Sequence, residues 1–229
     1  MSILAVTGVQ VNDRDCTGEL LFVASPQVEF SWRIETDSPD SRQGGYQIVA
    51  SGADGQLLWD SGRVVGTACR GVPWRGAGLK AGDRVSFCIR VFDRDGSPSP
   101  FSVENTFEVA LLSPGDWHGA RWIRFAGNCC AAAAPAPHFR REFTVGDGLR
   151  RAVLSITARG VFEPSLDGTR IGGDLLAPGW TDFRKQIQFL SYDLSDRLPP
   201  GRHALGVILA EGWCCGNLTV LRMRNVYHP

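Results

Sequence analysis

Four residues in the second half of the chain combine side chains that suit a sugar. Trp180 and Trp213 offer indole faces that stack on C–H groups, and Asp174 and Asp182 offer oxygens for hydroxyls, with Arg184 and Lys185 close by in sequence. The competing reading is structural: Trp180 packs beneath the PGW turn at 178–180 and Asp182 caps a bend, jobs that turn residues commonly do. Hydrolytic chemistry would need two carboxyl groups facing one bond. Asp93 and Asp95 lie close together but flank an Asp95-Gly96 turn, so they read as solvated turn carboxylates. His118, His138, His203 and His228 show no ligand spacing, and no G-x-S-x-G elbow is present. No phosphate-cradling loop is present either, because the glycines sit at hairpin turns.

Composition narrows the partners. Formal net charge is zero and no basic stripe is visible, so a nucleic acid or an anionic membrane finds no electrostatic footprint. No apolar run approaches the roughly 18 residues that would cross a bilayer. The opening MSILAVTGVQVNDRD lacks the basic start and long apolar core of a secretory signal, which makes a cytoplasmic location the expectation. The seven cysteines include the adjacent pairs Cys129-Cys130 and Cys214-Cys215, and no CxxC occurs. Free thiols are therefore expected, with no zinc site. Asn217-Leu218-Thr219 fits a glycosylation sequon, which matters only in a secretory pathway.

The elements that must carry these residues are strands. Gly is abundant at 27 residues, Pro adds 13, and short alternating runs recur throughout. VEFSWRIE, GYQIVAS, GQLLWDSG, the stretch from Cys69 to Trp74, DRVSFCIRVFDRDG and FSVENTFEVALL read as strands in the first half. These six runs are spaced as in a unit of about seven strands in about 110 residues, which predicts a fibronectin-III- or immunoglobulin-like sandwich. Val85, Phe87, Ile89 and Val91 share one face of their run, and Trp32, Trp59 and Phe87 are core candidates. In the second half FRREFTV, AVLSITA, QIQFLSYDL and HALGVIL alternate likewise, and Asp167-Gly168 predicts a tight hairpin turn. Between the halves, NCCAAAAPAPHF predicts an extended linker.

The second half also carries an ordered set of residues. Gly160, Phe162 and Glu163 come first, then Asp167-Gly168, Gly173-Asp174 and Leu176. Pro178-Gly179-Trp180-Thr181-Asp182-Phe183 and Lys185 follow, then Tyr192-Asp193, Gly201, Gly206-Val207 and Gly212-Trp213. In this order they resemble the β-sandwich that precedes the catalytic domain in bacterial α-L-rhamnosidases, the glycoside hydrolase family 78 type. The first half resembles the small N-terminal sandwich of the same proteins. Tyr46-Gln47-Ile48, Ala50-Ser51, residues 57–62, Val64, Arg90-Val91, Asp93, Asp95-Gly96, Ser99, Phe101-Ser102 and Phe107-Glu108 carry that likeness. Phe87-Cys88 departs from it, since the family shows Tyr and Trp there.

The resemblance implies an all-β chain of two sandwiches. Residues 1–112 would form the fibronectin-III-like one and 113–138 a linker with Trp117 and Trp122. Residues 139–229 would form a jelly-roll-like, carbohydrate-binding-type sandwich that stops short of its closing strands. It implies a parent that hydrolyses terminal α-L-rhamnose in a helical (α/α)6 barrel, which nothing in this sequence matches. The expected partners are that catalytic domain and an L-rhamnose-containing glycoside or polysaccharide. Some related domains resemble calcium-dependent rhamnose binders, which would make Asp174 and Asp182 oxygen ligands for Ca²⁺. No other cofactor is implied. Two other readings remain: a stand-alone lectin-like module, and a structural interaction module without sugar affinity.

Overall fold

A computed structural model of the protein describes residues 4–38, 40–126 and 135–216. The chain divides into two compact units, 1–119 and 120–229. Cys129, Cys130, the alanine run at 131–134, the 217–219 sequon and His228 lie outside the described residues.

The first unit is all β. Its strands are β1 (Leu4–Val11), β2 (Arg14–Asp15), β3 (Leu21–Val23), β4 (Glu29–Thr36), β5 (Gln43–Gly52), β6 (Leu57–Asp60), β7 (Val64–Val65), β8 (Val72–Pro73), β9 (Arg84–Asp93) and β10 (Asn105–Val109). One sheet runs β2-β1-β4-β8; the other runs β3-β10-β9-β5-β6, with β7 paired to β5. Among the described residues only β3 and β10 pair in parallel. The strands read from alternation correspond to β4, β5, β6, β8, β9 and β10. β1 escapes that reading because its register shifts between Thr7 and Gln10, around Gly8 at φ 52°. A bulge of this kind breaks the period-2 signal. β3 escapes because Leu21, Phe22 and Val23 are all buried, so nothing alternates.

The two sheets close on one aromatic core. Val85, Phe87, Ile89 and Val91 point inward from β9, each at most 1% exposed. Phe30 lies 4.8 Å from Phe87, Trp59 lies 5.2 Å from Trp74, and Trp32 lies 5.3 Å from Tyr46. The core reading of Trp32, Trp59 and Phe87 holds, with Trp59 half-buried at the margin. Cys88, next to Phe87, faces the other way and is half-buried. Buried Gln43 accepts from Trp32 Nε1 at 3.2 Å and donates to the carbonyls of Gly66 and Ala68, so its amide is satisfied. Past β10, Pro114–Trp117 forms a short 3-10 turn, where Asp116 accepts from the Leu112 and Ser113 amides.

The second unit holds β11 (His138–Val145), β12 (Val153–Ile156), β13 (Val161–Leu166), β14 (Thr169–Arg170), β15 (Leu190–Asp193), β16 (Gly201–Ala210) and α1 (Gly212–Cys215). They form a four-stranded sheet, β11-β16-β13-β14, and a two-stranded one, β12-β15. Leu166 pairs with Thr169, leaving Asp167 (φ 50°) and Gly168 (φ 81°) as a two-residue turn. Positive φ at both central positions is the type I′ geometry that Asp-Gly favours. QIQFLSYDL was expected as one run, yet only Leu190–Asp193 pairs. The core is thinner here. Leu166, Ile171, Tyr192, Leu194 and Leu198 form one buried cluster and Ala158, Phe162 and Ala177 another, while Ile156, Leu190, Val207 and Leu209 stay half-buried. The five described cysteines are free.

Candidate saccharide-binding face

The loop from β14 to β15 carries three of the four predicted site residues. It is anchored from below. The Phe162 amide of β13 donates to the Ala177 carbonyl at 2.8 Å, and Ala177 and Phe183 are buried. Between these anchors the chain turns tightly, with the Gly179 amide on the Leu176 carbonyl at 3.1 Å. Gly179 takes φ 108°, a backbone conformation that residues with a side chain rarely adopt. Trp180, the next residue, is 56% exposed. The expectation that it packs beneath the PGW turn does not describe a ring this exposed; Ala177 and Phe183, on either side of the turn in sequence, are the buried residues here.

Trp213 comes from a different element. It lies on α1, just past β16, where Gly212 (φ 51°) brings the backbone against β13: a Cβ there would meet Val161 N at 2.8 Å. The two indole rings are parallel within 2°, with centroids 6.3 Å apart. Offset stacking of this kind fixes ring orientation. Leu175 and Leu176 are also exposed on this loop.

The aspartates are engaged within the protein. Arg184 grips Asp182 with two bonds, Nε to Oδ1 at 2.9 Å and Nη2 to Oδ2 at 3.0 Å. That guanidinium holds the Asp182 carboxyl below its usual range. Asp182 also caps the bend, accepting the Arg184 amide on its side chain and the Lys185 and Gln186 amides on its carbonyl. The Thr181 hydroxyl donates to the Gln186 carbonyl. Asp174 accepts the Tyr192 hydroxyl on Oδ2 at 3.0 Å, and its carbonyl accepts Arg170 Nη2. Among the described residues, no hydrogen bond or ring contact ties either aspartate to the tryptophans. Lys185 is exposed beside Arg184.

Calcium does not fit these donors as they stand. Ca²⁺ takes six to eight oxygens, usually with more than one carboxylate. Among the described residues no group of three or more His, Cys, Asp or Glu could hold a metal ion. Asp182 faces a cation already, and Asp174 is tied to a phenol.

Sequence reasoning missed a dyad between buried His203 and exposed Asp167. His203 of β16 sets Nδ1 2.6 Å from Asp167 Oδ2 and Nε2 2.7 Å from the Pro199 carbonyl. Asp167 Oδ1 also accepts the Ala204 amide at 2.7 Å. Both ring nitrogens face acceptors, so only the imidazolium satisfies both. The Asp167 bond raises the His203 pKa, and the His203 bond lowers that of Asp167. The residues lie 36 apart in sequence, which left no spacing to read. Asp93, by contrast, behaves as read: Oδ1 caps the turn at the Ser97 amide, 2.7 Å away.

Two family models match in series. "Rha78A-like, N-terminal immunoglobulin domain" covers residues 6–113, and "Alpha-L-rhamnosidase N-terminal domain" covers 147–228. The chain comprises N-terminal β-domains of the α-L-rhamnosidase family. An α-L-rhamnosidase of Alteromonas sp. (strain LOR) is 32% identical over 222 residues, 91% of this chain and 24% of that protein. One from Formosa agariphila is 28% identical over 201 residues, 82% of this chain and 22% of its own length. The crystal structure of native α-L-rhamnosidase from Aspergillus terreus superposes with a TM-score of 0.84 at 30% identity, covering 98% of this chain and 26% of that one. The chain thus spans about a quarter of the curated rhamnosidases it matches. Trp180, Asp182, Asp174 and Trp213 all fall within the rhamnosidase N-terminal domain match.

Proposed function

We propose that this chain is the non-catalytic N-terminal portion of an α-L-rhamnosidase-like glycoside hydrolase, and that it binds L-rhamnose at the Trp180–Trp213 face. The parent activity is hydrolysis of terminal α-L-rhamnose. In that parent the two sandwiches pack on the catalytic barrel and hold the rhamnose-containing glycoside near it. The observation that carries the sugar reading is the parallel indole pair with Trp180 more than half exposed. An outward-facing ring whose plane is ordered by its neighbour would offer a stacking surface at a lower ordering cost. Asp182 and Arg184 stand two and four residues beyond it as hydrogen-bonding partners for hydroxyls.

The test is calorimetric. The chain titrated with L-rhamnose should give a saturable isotherm, and Trp180→Ala should abolish it. An isotherm unchanged in the variant would remove the site. The chain alone should release no chromophore from a chromogenic α-L-rhamnoside; turnover would overturn the non-catalytic reading. The stand-alone lectin reading shares the same face and differs only in having no catalytic partner.

A further inference from the structure

The outer face of the six-stranded sheet carries a second built surface. Across its strands, Phe92 of β9 sits opposite Gly45 of β5, and Gly45 sits opposite Val65 of β7. Arg90 sits opposite Gln47. Residues directly opposite share a face. Onto this row the chain stacks two guanidinium groups. Arg63 lies 4.9 Å and Arg90 5.3 Å from the centre of the Phe92 ring, and Arg90 also lies 4.6 Å from that of Phe101. Phe92 is only 6% exposed, although it points away from the core.

Both cations are held in place. Arg90 Nε donates to Gln47 Oε1 at 2.8 Å, and the Gln47 amide donates to Asp60 Oδ1 at 2.7 Å. Arg63 lies against Gly96, where a Cβ would stand 2.9 Å from both of its terminal nitrogens. Yet neither guanidinium makes an ion pair among the described residues. Asp60 reaches Arg90 only through Gln47. Glu104 lies near Cys88 of this face and pairs with neither arginine.

Guanidinium faces spent on rings leave the N–H edges to meet an acceptor, and that fork matches a carboxylate. Phe101 is 40% exposed and Val65 80%. Fixed arginines, an aromatic ring and a bare aliphatic side chain together resemble the centre of a protein interface rather than a sugar platform. We propose that this face docks an acidic segment of a partner polypeptide. Its carboxylates would be forked by Arg63 and Arg90, with apolar side chains laid on Phe101 and Val65.

The test uses the whole chain and a short fluorescein-labelled peptide of alternating Glu and Leu, followed by anisotropy. Binding should saturate, weaken as salt rises, and fall by roughly tenfold or more in an R63Q/R90Q double variant. R90K keeps the charge but loses the planar fork, and should also bind more weakly. R63Q alone touches an exposed side chain, so its weakened binding supports the proposal even if changes at Arg90 disturb the fold. No saturable binding, equal affinity for a Gln-for-Glu peptide, or unchanged affinity in R63Q and the double variant overturns it. Polygalacturonate that displaces the peptide as well as unlabelled peptide does, at equal carboxylate, overturns the polypeptide assignment.

Discussion

Trp180 is more than half exposed, whereas Ala177 and Phe183 of the same loop are buried. Its removal therefore leaves no core cavity. Trp180→Ala should cost at most about 1 kcal/mol of stability, the worth of the lost ring contact with Trp213. Urea unfolding checks this, and a much larger loss would make the residue structural. His203 and Asp167 belong to the same scale, and their signs differ. His203, with its pKa raised, stabilises fully below its unfolded value near 6.5 and loses that contribution as pH rises through the folded value. Asp167, with its pKa lowered, stabilises fully above its unfolded value near 3.9 and loses that as pH falls. The native protein should thus exceed His203→Gln in stability most between about pH 4 and pH 6.5, narrowing on either side. Urea midpoints across pH would show it; a gap independent of pH would contradict the ion pair.

At the scale of elements, the β14–β15 loop depends on one glycine of an adjacent pair. Gly172 has φ 70°, and a Cβ there would stand 2.3 Å from the Tyr192 ring; a Cβ on Gly173 would meet nothing. Gly172→Ala should cost more than about 1–2 kcal/mol, since left-handed strain adds to displacement of the Tyr192–Asp174 bond. Gly173→Ala should stay within about 0.5 kcal/mol. Equal effects in urea unfolding would refute the difference. What was legible at this scale had a local signature. The Asp167-Gly168 turn and the inward face of β9 follow directly from residue types and period. β1 was illegible because a bulge interrupts it, and β3 because burial on every side removes alternation. The aromatic pair was half-legible. Both tryptophans stood out, but their meeting depends on where α1 brings Gly212 against β13, a long-range fact with no mark in the sequence.

Across the whole molecule the two units differ in how completely they bury their apolar faces. The first encloses Phe30, Phe87 and Phe107 fully, whereas among the described residues the second leaves Ile156, Leu190, Val207 and Leu209 half-buried. Since stabilisation scales with apolar area removed from water, amides of β9 should exchange with deuterium more slowly than those of β16. Mass spectrometry after timed exchange checks this, and the reverse order would contradict it. The family assignment concerns the whole chain too, because two domain models match it in series. We propose that its exposed indole face binds sugar in the parent enzyme. Titrating the chain with L-rhamnose in a calorimeter, alongside Trp180→Ala, tests that most directly. Saturable heat in the native chain that disappears in the variant is the predicted result. No saturable heat, or the same heat in both, would contradict it.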